Sequence, residues 1–428
     1  MKTMVLTVAA VLASGVSFAA LEPLAPIGGK VVQRVPDAQK TVMNLPTLEE
    51  RLRLFAEDRK NGKKIRHDPY WRKSLPLVLE VKTTSGETGP WKVLIGKKPD
   101  LSDARVWYLK TTTTDKASGR EKKAEGPKDV QRIEVPMANL EIATAYYWKV
   151  ICRGSCGFGC SPKHGCAACK KLAESPVSSF VTEDFAPRWI EIEGRVGNFR
   201  DFGGRIGLGG RRVRQGLVYR GQGLNDNSVT GETQGRNRLT VEDVKYLTGT
   251  LGIRTDLDLR SYGEVVDMRE SPLGPGVAFI NNSSSCYKGA FGEDGMKVMA
   301  KNFRVFCDRK NYPIYFHCIS GASRTGSLAY VLSGVLGVSR QELETDWELT
   351  YYPNIPDADP DPNRWNRESH FNDGFGKYGT DADSWNRRIE LYLLDCGITR
   401  KEIETFREIA LCHEGGKEGE NSEKTNQR

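Results

Sequence analysis

Pro313-Ile314-Tyr315-Phe316-His317-Cys318-Ile319-Ser320-Gly321-Ala322-Ser323-Arg324-Thr325-Gly326, followed by Ser327-Leu328-Ala329-Tyr330-Val331-Leu332, reads as a strand, a tight loop and a helix. The apolar run from Ile314 to Phe316 delivers Cys318 to the carboxyl end of its strand, where open α/β sheets bind ligands. A helix beginning near Arg324 turns its N-terminal amides and positive dipole back on the loop. Such a loop suits a dianion such as phosphate. The amides of Ile319, Ser320, Gly321, Ala322 and Ser323 can wrap its oxygens as a nest, Gly321 permits the backbone angles, and Arg324 can take two oxygens at once. The same positive potential lowers the pKa of the Cys318 thiol and favours the nucleophilic thiolate. Attack on phosphorus would give a phosphocysteine that water then cleaves, with the Thr325 hydroxyl bonding the departing sulfur. His317 is expected to organise the loop backbone, with Gly326 as further support. A merely buried cysteine ahead of a helix leaves His317, Gly321, Arg324, Thr325 and Gly326 unexplained.

These residues fill every fixed position of the H-C-x5-R-[ST] pattern, and the segment resembles the loop of the protein tyrosine and dual-specificity phosphatase superfamily. Three further stretches, in order, look like a bacterial tyrosine phosphatase family: Asn198-Phe199-Arg200-Asp201-Phe202-Gly203-Gly204, Val218-Tyr219-Arg220-Gly221 and Asp258-Leu259-Arg260-Ser261-Tyr262-Gly263-Glu264. The resemblance covers about residues 188 to 411. It implies phosphomonoester hydrolysis without metal or other cofactor, acting on phosphotyrosine and, with dual specificity, on phosphoserine or phosphothreonine. By position it makes Asp258 the candidate general acid, and Asp258 ends a strand from which a carboxyl can face the loop. Asp294 competes, because in many dual-specificity enzymes the acid lies about thirty residues before the nucleophile. Asp258 could instead pair with an arginine, Arg260 with Glu264 could form a supporting pair, and Arg200 and Asp201 could be core braces. Relatives that favour phosphoinositides tend to carry lysine in the loop, and some carry aspartate just before the arginine. Ala322 and Ser323 occupy those places here and weaken a lipid-phosphatase reading.

Around this centre the chain has room for several domains: it has 428 residues, 38% of them hydrophobic. Lys2 precedes an apolar stretch from Met4 to Val16 and then Ser17-Phe18-Ala19, so residues 1–19 read as a signal peptide and the protein as secreted or periplasmic. No later segment approaches the ~20 apolar residues of a spanning helix, so stable membrane insertion is not expected. Residues 20–73 form an N-terminal extension, within which Thr47 and Glu50 have capping-box spacing. Over residues 74–185, short alternating strands indicate an all-β domain. Its stretch Asn139 to Val150, closing with Ser178 to Thr182, resembles the later strands of a fibronectin type III sandwich. Such domains position or bind partners, which implies a protein or glycan. An insertion at 152–169 holds Cys152, Cys156, Cys160, Cys166 and Cys169; the gaps do not make zinc knuckles, and an oxidising compartment favours two local disulfides over metal.

Residues 186–413 read as an α/β phosphatase domain, a central mostly parallel sheet flanked by helices. Helix starts are marked at Thr240 with Asp243, Ser261 with Glu264, Ser339 with Glu342 and Thr399 with Glu402. Residues 414–428 have nothing to bury and read as a disordered tail. The formal charge of +8 is spread over 63 basic and 55 acidic residues, which suits anionic ligands without indicating a nucleic-acid surface. It also keeps open a secreted inositol-polyphosphate phosphatase of the phytase kind. A phosphate-binding adhesion protein without turnover is the non-enzymatic alternative. Cys286 or Cys307 could protect the Cys318 thiolate by a reversible disulfide.

Overall fold

The computed structural model describes residues 19–47, 49–50, 53, 74–84, 86–110, 129–154, 171–194, 196–224, 239–265, 268–349 and 368–413. The apolar leader up to Phe18, the last four cysteines of the 152–169 insertion and the tail 414–428 lie outside the described residues. The chain divides into two compact units: Met1–Val32, Pro76–Pro136 and Thr144–Thr182 form one, and Gln33–Leu75, Met137–Ala143 and Glu183–Arg428 form the other.

In the first unit, alternation of apolar and polar residues produces strands with one buried face. They are β1 (Ala19–Ala25), β2 (Lys30–Val32), β3 (Leu77–Thr83), β4 (Trp91–Gly96), β5 (Arg105–Leu109), β6 (Val130–Val135), β7 (Ala145–Arg153), β8 (Lys171–Glu174) and β9 (Ser178–Thr182). Leu77, Leu79 and Val81 of β3, Trp91, Val93 and Ile95 of β4, and Tyr146, Trp148, Val150 and Cys152 of β7 are all buried, as a two-residue period requires. One antiparallel ladder runs β1-β3-β6 and another β5-β4-β7-β9, with β2 parallel to β9. β8 joins them, antiparallel to β7 and parallel to β1. The buried Trp148 indole donates to the Pro26 carbonyl at 2.8 Å, so its polar end is satisfied. Ala19, read as the end of the leader, and residues read as an N-terminal extension thus supply β1 and β2, because their backbone completes ladders that β3 and β9 leave open. Cys152 is a buried free thiol on β7.

Among the described residues, the second unit is built on five strands in the order β10-β11-β14-β12-β13: β10 (Arg200–Asp201), β11 (Val218–Gln222), β12 (Thr255–Asp258), β13 (Ala278–Asn281) and β14 (Ile314–Cys318). Only the short β10 is antiparallel. As the middle strand of a parallel sheet, β14 is buried at every position, which is why its sequence is a continuous apolar run. Its alternate residues serve two cores. Ile314, Phe316 and Cys318 join a large cluster with Phe303, Phe306, Leu328, Ile389 and Phe406, whereas Tyr315 joins Tyr219, Leu247 and Ile253.

Among the described residues, the helices of this unit are α1 (Asp37–Asn44), α2 (Val241–Lys245), α3 (Glu293–Val305), α4 (Ser323–Val335), α5 (Arg340–Leu349), α6 (Glu368–Phe375), α7 (Trp385–Asp395) and α8 (Arg400–Ala410). Capping boxes at Thr240–Asp243, Ser261–Glu264 and Thr399–Glu402 start α2, a single 3-10 turn and α8. Helix α4 is buried along nearly its whole length from Thr325 to Val335, so it is fixed directly behind β14. Among the described residues, no helix is long and apolar enough to cross a membrane.

Phe406 of α8 packs edge-on against Phe303 and Phe306 and is fully buried. Phe406→Ala should cost about 3–5 kcal/mol of stability, read as a lower midpoint in urea.

Candidate functional site

β14 ends at Cys318 and α4 begins at Ser323, so Ile319 to Ala322 must turn the chain within four residues. Gly321 makes this possible with a φ of 67°, and a Cβ there would stand 2.4 Å from the Gly221 carbonyl oxygen. The loop carbonyls are tied from outside. The Cys318 carbonyl lies 3.2 Å from His317 Nδ1, and the Ile319 carbonyl accepts the Gly223 amide at 3.1 Å. The Gly321 carbonyl accepts Asn198 Nδ2 at 2.8 Å and Arg220 Nη2 at 3.1 Å. In a trans peptide C=O and N–H point opposite ways, so these ties turn the amides of Ile319, Ser320 and Ala322 toward the other side, where an anion can be wrapped. Ser320, Gly321, Ala322 and Ser323 are placed together by the same turn.

Burial alone would push the Cys318 thiol up, but Arg324, the hydroxyl and amide of Thr325, and His317 outweigh it and hold the pKa below the ordinary 9.0. The Thr325 hydroxyl is fully buried and is left to face the sulfur. Arg324 is held end-on by Glu264, with Nη1 to Oε2 at 2.5 Å and Nη2 to Oε1 at 2.9 Å, which leaves its Nε edge for phosphate oxygens. Burial acts to raise the Glu264 pKa, but Arg324 and Ser261 bring it down to about 2, so this carboxylate stays ionised. Gly326 is required by a close approach: a Cβ would lie 2.6 Å from the Trp347 ring. Tyr287 meets the same ring edge-on and hydrogen-bonds Ser323 Oγ at 2.5 Å, so the segment before α3 touches the loop.

Asp258, expected as the general acid, turns its carboxylate toward Arg260. Its carboxylate is fully buried and gripped by Arg260, with Nη2 at 2.6 Å and Nε at 3.0 Å, and Oδ1 also accepts the Arg260 amide. Burial favours the protonated form, but His317 and Arg260 outweigh it and hold the pKa below the ordinary carboxylate value. It stands 3.8 Å from His317 Nδ1, while Asp256 lies 2.9 Å from Nε2. Burial would lower the His317 pKa, yet these two carboxylates raise it and fix the ring under the Cys318 carbonyl. Asp294, in the first turn of α3, has a side chain 99% exposed and approaches only Lys297, at 3.7 Å, among its ion pairs.

Arg260 therefore pairs with Asp258 and not with Glu264. Asp201 is a brace, accepting Arg188, Gly203 N and Gly216 N, and Arg200 pairs with Asp346. Sequence reading missed three residues: Glu264 as the partner of Arg324, Asp256 as the partner of His317, and Asp346. The capping-box spacing located Glu264 but pointed only to its local bond, and Asp346 carries no local signal within α5. Cys307 bonds the Phe303 and Glu402 carbonyls and its thiol is pushed up to about 12 by burial and Glu402, so it is ill suited to protect Cys318. Among the described residues no cluster of potential metal ligands is found.

The model of the Tyrosine phosphatase family matches residues 190–373. A curated protein of Cupriavidus necator, named as a candidate tyrosine-protein phosphatase, is 26% identical over 191 residues, which is 37% of this chain and 64% of that protein's length. Among solved structures, the core catalytic domain of PP-IP phosphatase SIW14 from S. cerevisiae, in complex with citrate, aligns at 17% identity and a TM-score of 0.24, covering 37% of this chain and 84% of that one. The family match and the C. necator relative support a phosphatase family for the second unit.

Alkylation by iodoacetate, followed on each cysteine by mass spectrometry, tests the electrostatics of the loop. Cys318 should label with a midpoint below 9.0, whereas Cys307 and Cys396, both pushed up to about 12 chiefly by burial, should stay unlabelled at pH 9. With the folded pKa depressed, the stabilisation from the thiolate is full above the unfolded thiol value and is lost as pH falls through the folded one. A Cys318 midpoint at or above 9.0 would refute the assignment.

Proposed function

We propose that this chain is a cysteine-dependent phosphatase that hydrolyses phosphomonoesters through a phosphocysteine intermediate, with protein phosphotyrosine as its substrate. The observation that carries the reading is the Cys318 sulfur, held toward its thiolate form by Arg324 and Thr325 at the mouth of a loop whose carbonyls are tied outward. Cys318 Sγ attacks phosphorus in line and the bond to the ester oxygen breaks. The Nε edge of Arg324 and the loop amides from Ile319 to Ser323 share the charge of the equatorial oxygens. Water then attacks phosphorus, the S–P bond breaks, and the Thr325 hydroxyl stabilises the sulfur as it leaves with its electron pair.

With Asp258 committed to Arg260, Asp294 is the remaining carboxylate of the two the sequence offers for protonating the ester oxygen. Its side chain is exposed, and the 3-10 turn that precedes its helix begins at Tyr287, which touches Ser323. The leader pattern supports action outside the cytoplasm, secreted or periplasmic. The β-rich first unit, as a fibronectin type III-like domain, would hold a protein or glycan partner.

Turnover of p-nitrophenyl phosphate should vanish in Cys318→Ser, and acid quench of the wild type with labelled substrate should trap the phosphocysteine. Among substrates at equal concentration, phosphotyrosine peptides should exceed phosphoserine peptides and phytate in kcat/KM; the reverse order would reassign the substrate to the inositol-polyphosphate class. Asp294→Asn should slow phosphotyrosine peptides by about 10²-fold or more while sparing p-nitrophenyl phosphate, whose leaving group needs little protonation. Equal effects on both substrates would remove Asp294 from the acid role.

A further inference from the structure

Asp346 lies on α5, outside every segment that the sequence assigns to the site, and three arginines converge on it. Arg200 Nε at 3.0 Å and Arg205 Nη2 at 2.8 Å donate to Oδ1, and Arg220 Nη1 donates to Oδ2 at 2.7 Å. Arg200 Nη2 adds bonds to Oδ2 at 3.2 Å and to the Asp346 backbone carbonyl at 3.0 Å. Arg200 and Arg220 are fully buried, which is costly for a guanidinium unless an anion compensates.

Both donors to the Gly321 carbonyl lead back to this carboxylate. Arg220 reaches Asp346 with Nη1 and Gly321 with Nη2. Asn198 gives its Nδ2 to Gly321, and its Oδ1 accepts Arg200, which Asp346 holds. We propose that Asp346 is a positioning residue for the phosphate loop: through Arg220 and through Arg200 with Asn198 it fixes the Gly321 carbonyl outward and so aims the Ala322 amide at the bound oxyanion. This rests on the phosphatase reading above and names a residue of that same site. Three guanidiniums against one carboxylate also leave positive charge behind the loop, and Arg220 is close enough to Cys318 for the two to interact electrostatically.

A brace that served only stability would lower the melting temperature and leave oxyanion binding by folded molecules intact. The full chain carrying Asp346→Asn, of equal size but uncharged, is compared with wild type in kcat, KM, orthovanadate inhibition and melting temperature. Loss of one aimed amide should lower kcat/KM for p-nitrophenyl phosphate by about 10- to 100-fold and weaken orthovanadate by a similar factor. Asn198→Ala keeps every buried charge and removes one donor to Gly321, so it should produce the same pattern at about 3- to 10-fold; it decides the matter if Asp346→Asn does not fold. Folded variants with kcat/KM and orthovanadate inhibition within about twofold of wild type would overturn the assignment, since one lost hydrogen bond should exceed that. Cys318→Ser separates the two levels: its retained turnover would sink the phosphatase reading itself, whereas an inactive Cys318→Ser beside unaffected Asp346→Asn and Asn198→Ala sinks only the role of Asp346.

Discussion

A peptide unit cannot present its oxygen and its hydrogen to the same side, and the site depends on that constraint. Each carbonyl of the loop that finds a partner behind it commits the next amide to the front. His317, Asn198, and Arg220 with Gly223 supply those partners from three different stretches of chain. The loop is thus shaped by what surrounds it, and its own sequence need only avoid side chains that collide, as Gly321 and Gly326 do.

Holding the loop from behind requires polar groups in places that water does not reach. Arg200, Arg220, Arg260, Asp201, Asp256, Asp258 and His317 are all buried. An isolated ion moved there costs several kcal/mol even after relaxation, so each is matched: Arg260 to Asp258, Asp201 to Arg188, His317 to Asp256, and Arg200 and Arg220 to Asp346. Removing one member strands the other, which makes these residues more demanding than the apolar core beside them. The core tolerates a change of volume by a graded loss, whereas a lone buried charge has no comparable compromise.

Much of this was legible in the chain. The run Ile314 to Phe316, the fixed positions of His317, Cys318, Arg324 and Thr325, and the cap spacings at Thr240, Ser261 and Thr399 are local patterns, and local patterns are what a sequence displays. The strand texture between Leu77 and Val150 also reappears as β3 to β7. The partners were hidden because pairing across the fold leaves no spacing to read. Asp258 and Arg260 are two residues apart and bond each other, while Glu264 passes over Arg260 to reach Arg324, 60 positions away. An aspartate at the end of a strand can face the loop or turn back on its neighbour, and only the packing around His317 decides between them. The strands β1 and β2 escaped for a related reason, since their partners lie far along the chain.

Glu264 performs two tasks with one carboxylate. Oε2 takes the amide and hydroxyl of Ser261 and shares Arg324 with Oε1. The 3-10 turn that it closes is only three residues long and has no buried member. Short exposed turns open at far smaller free energy than a core strand. The guanidinium is therefore anchored to a short, exposed turn, so local fraying there would release Arg324 while the sheet and helices persist.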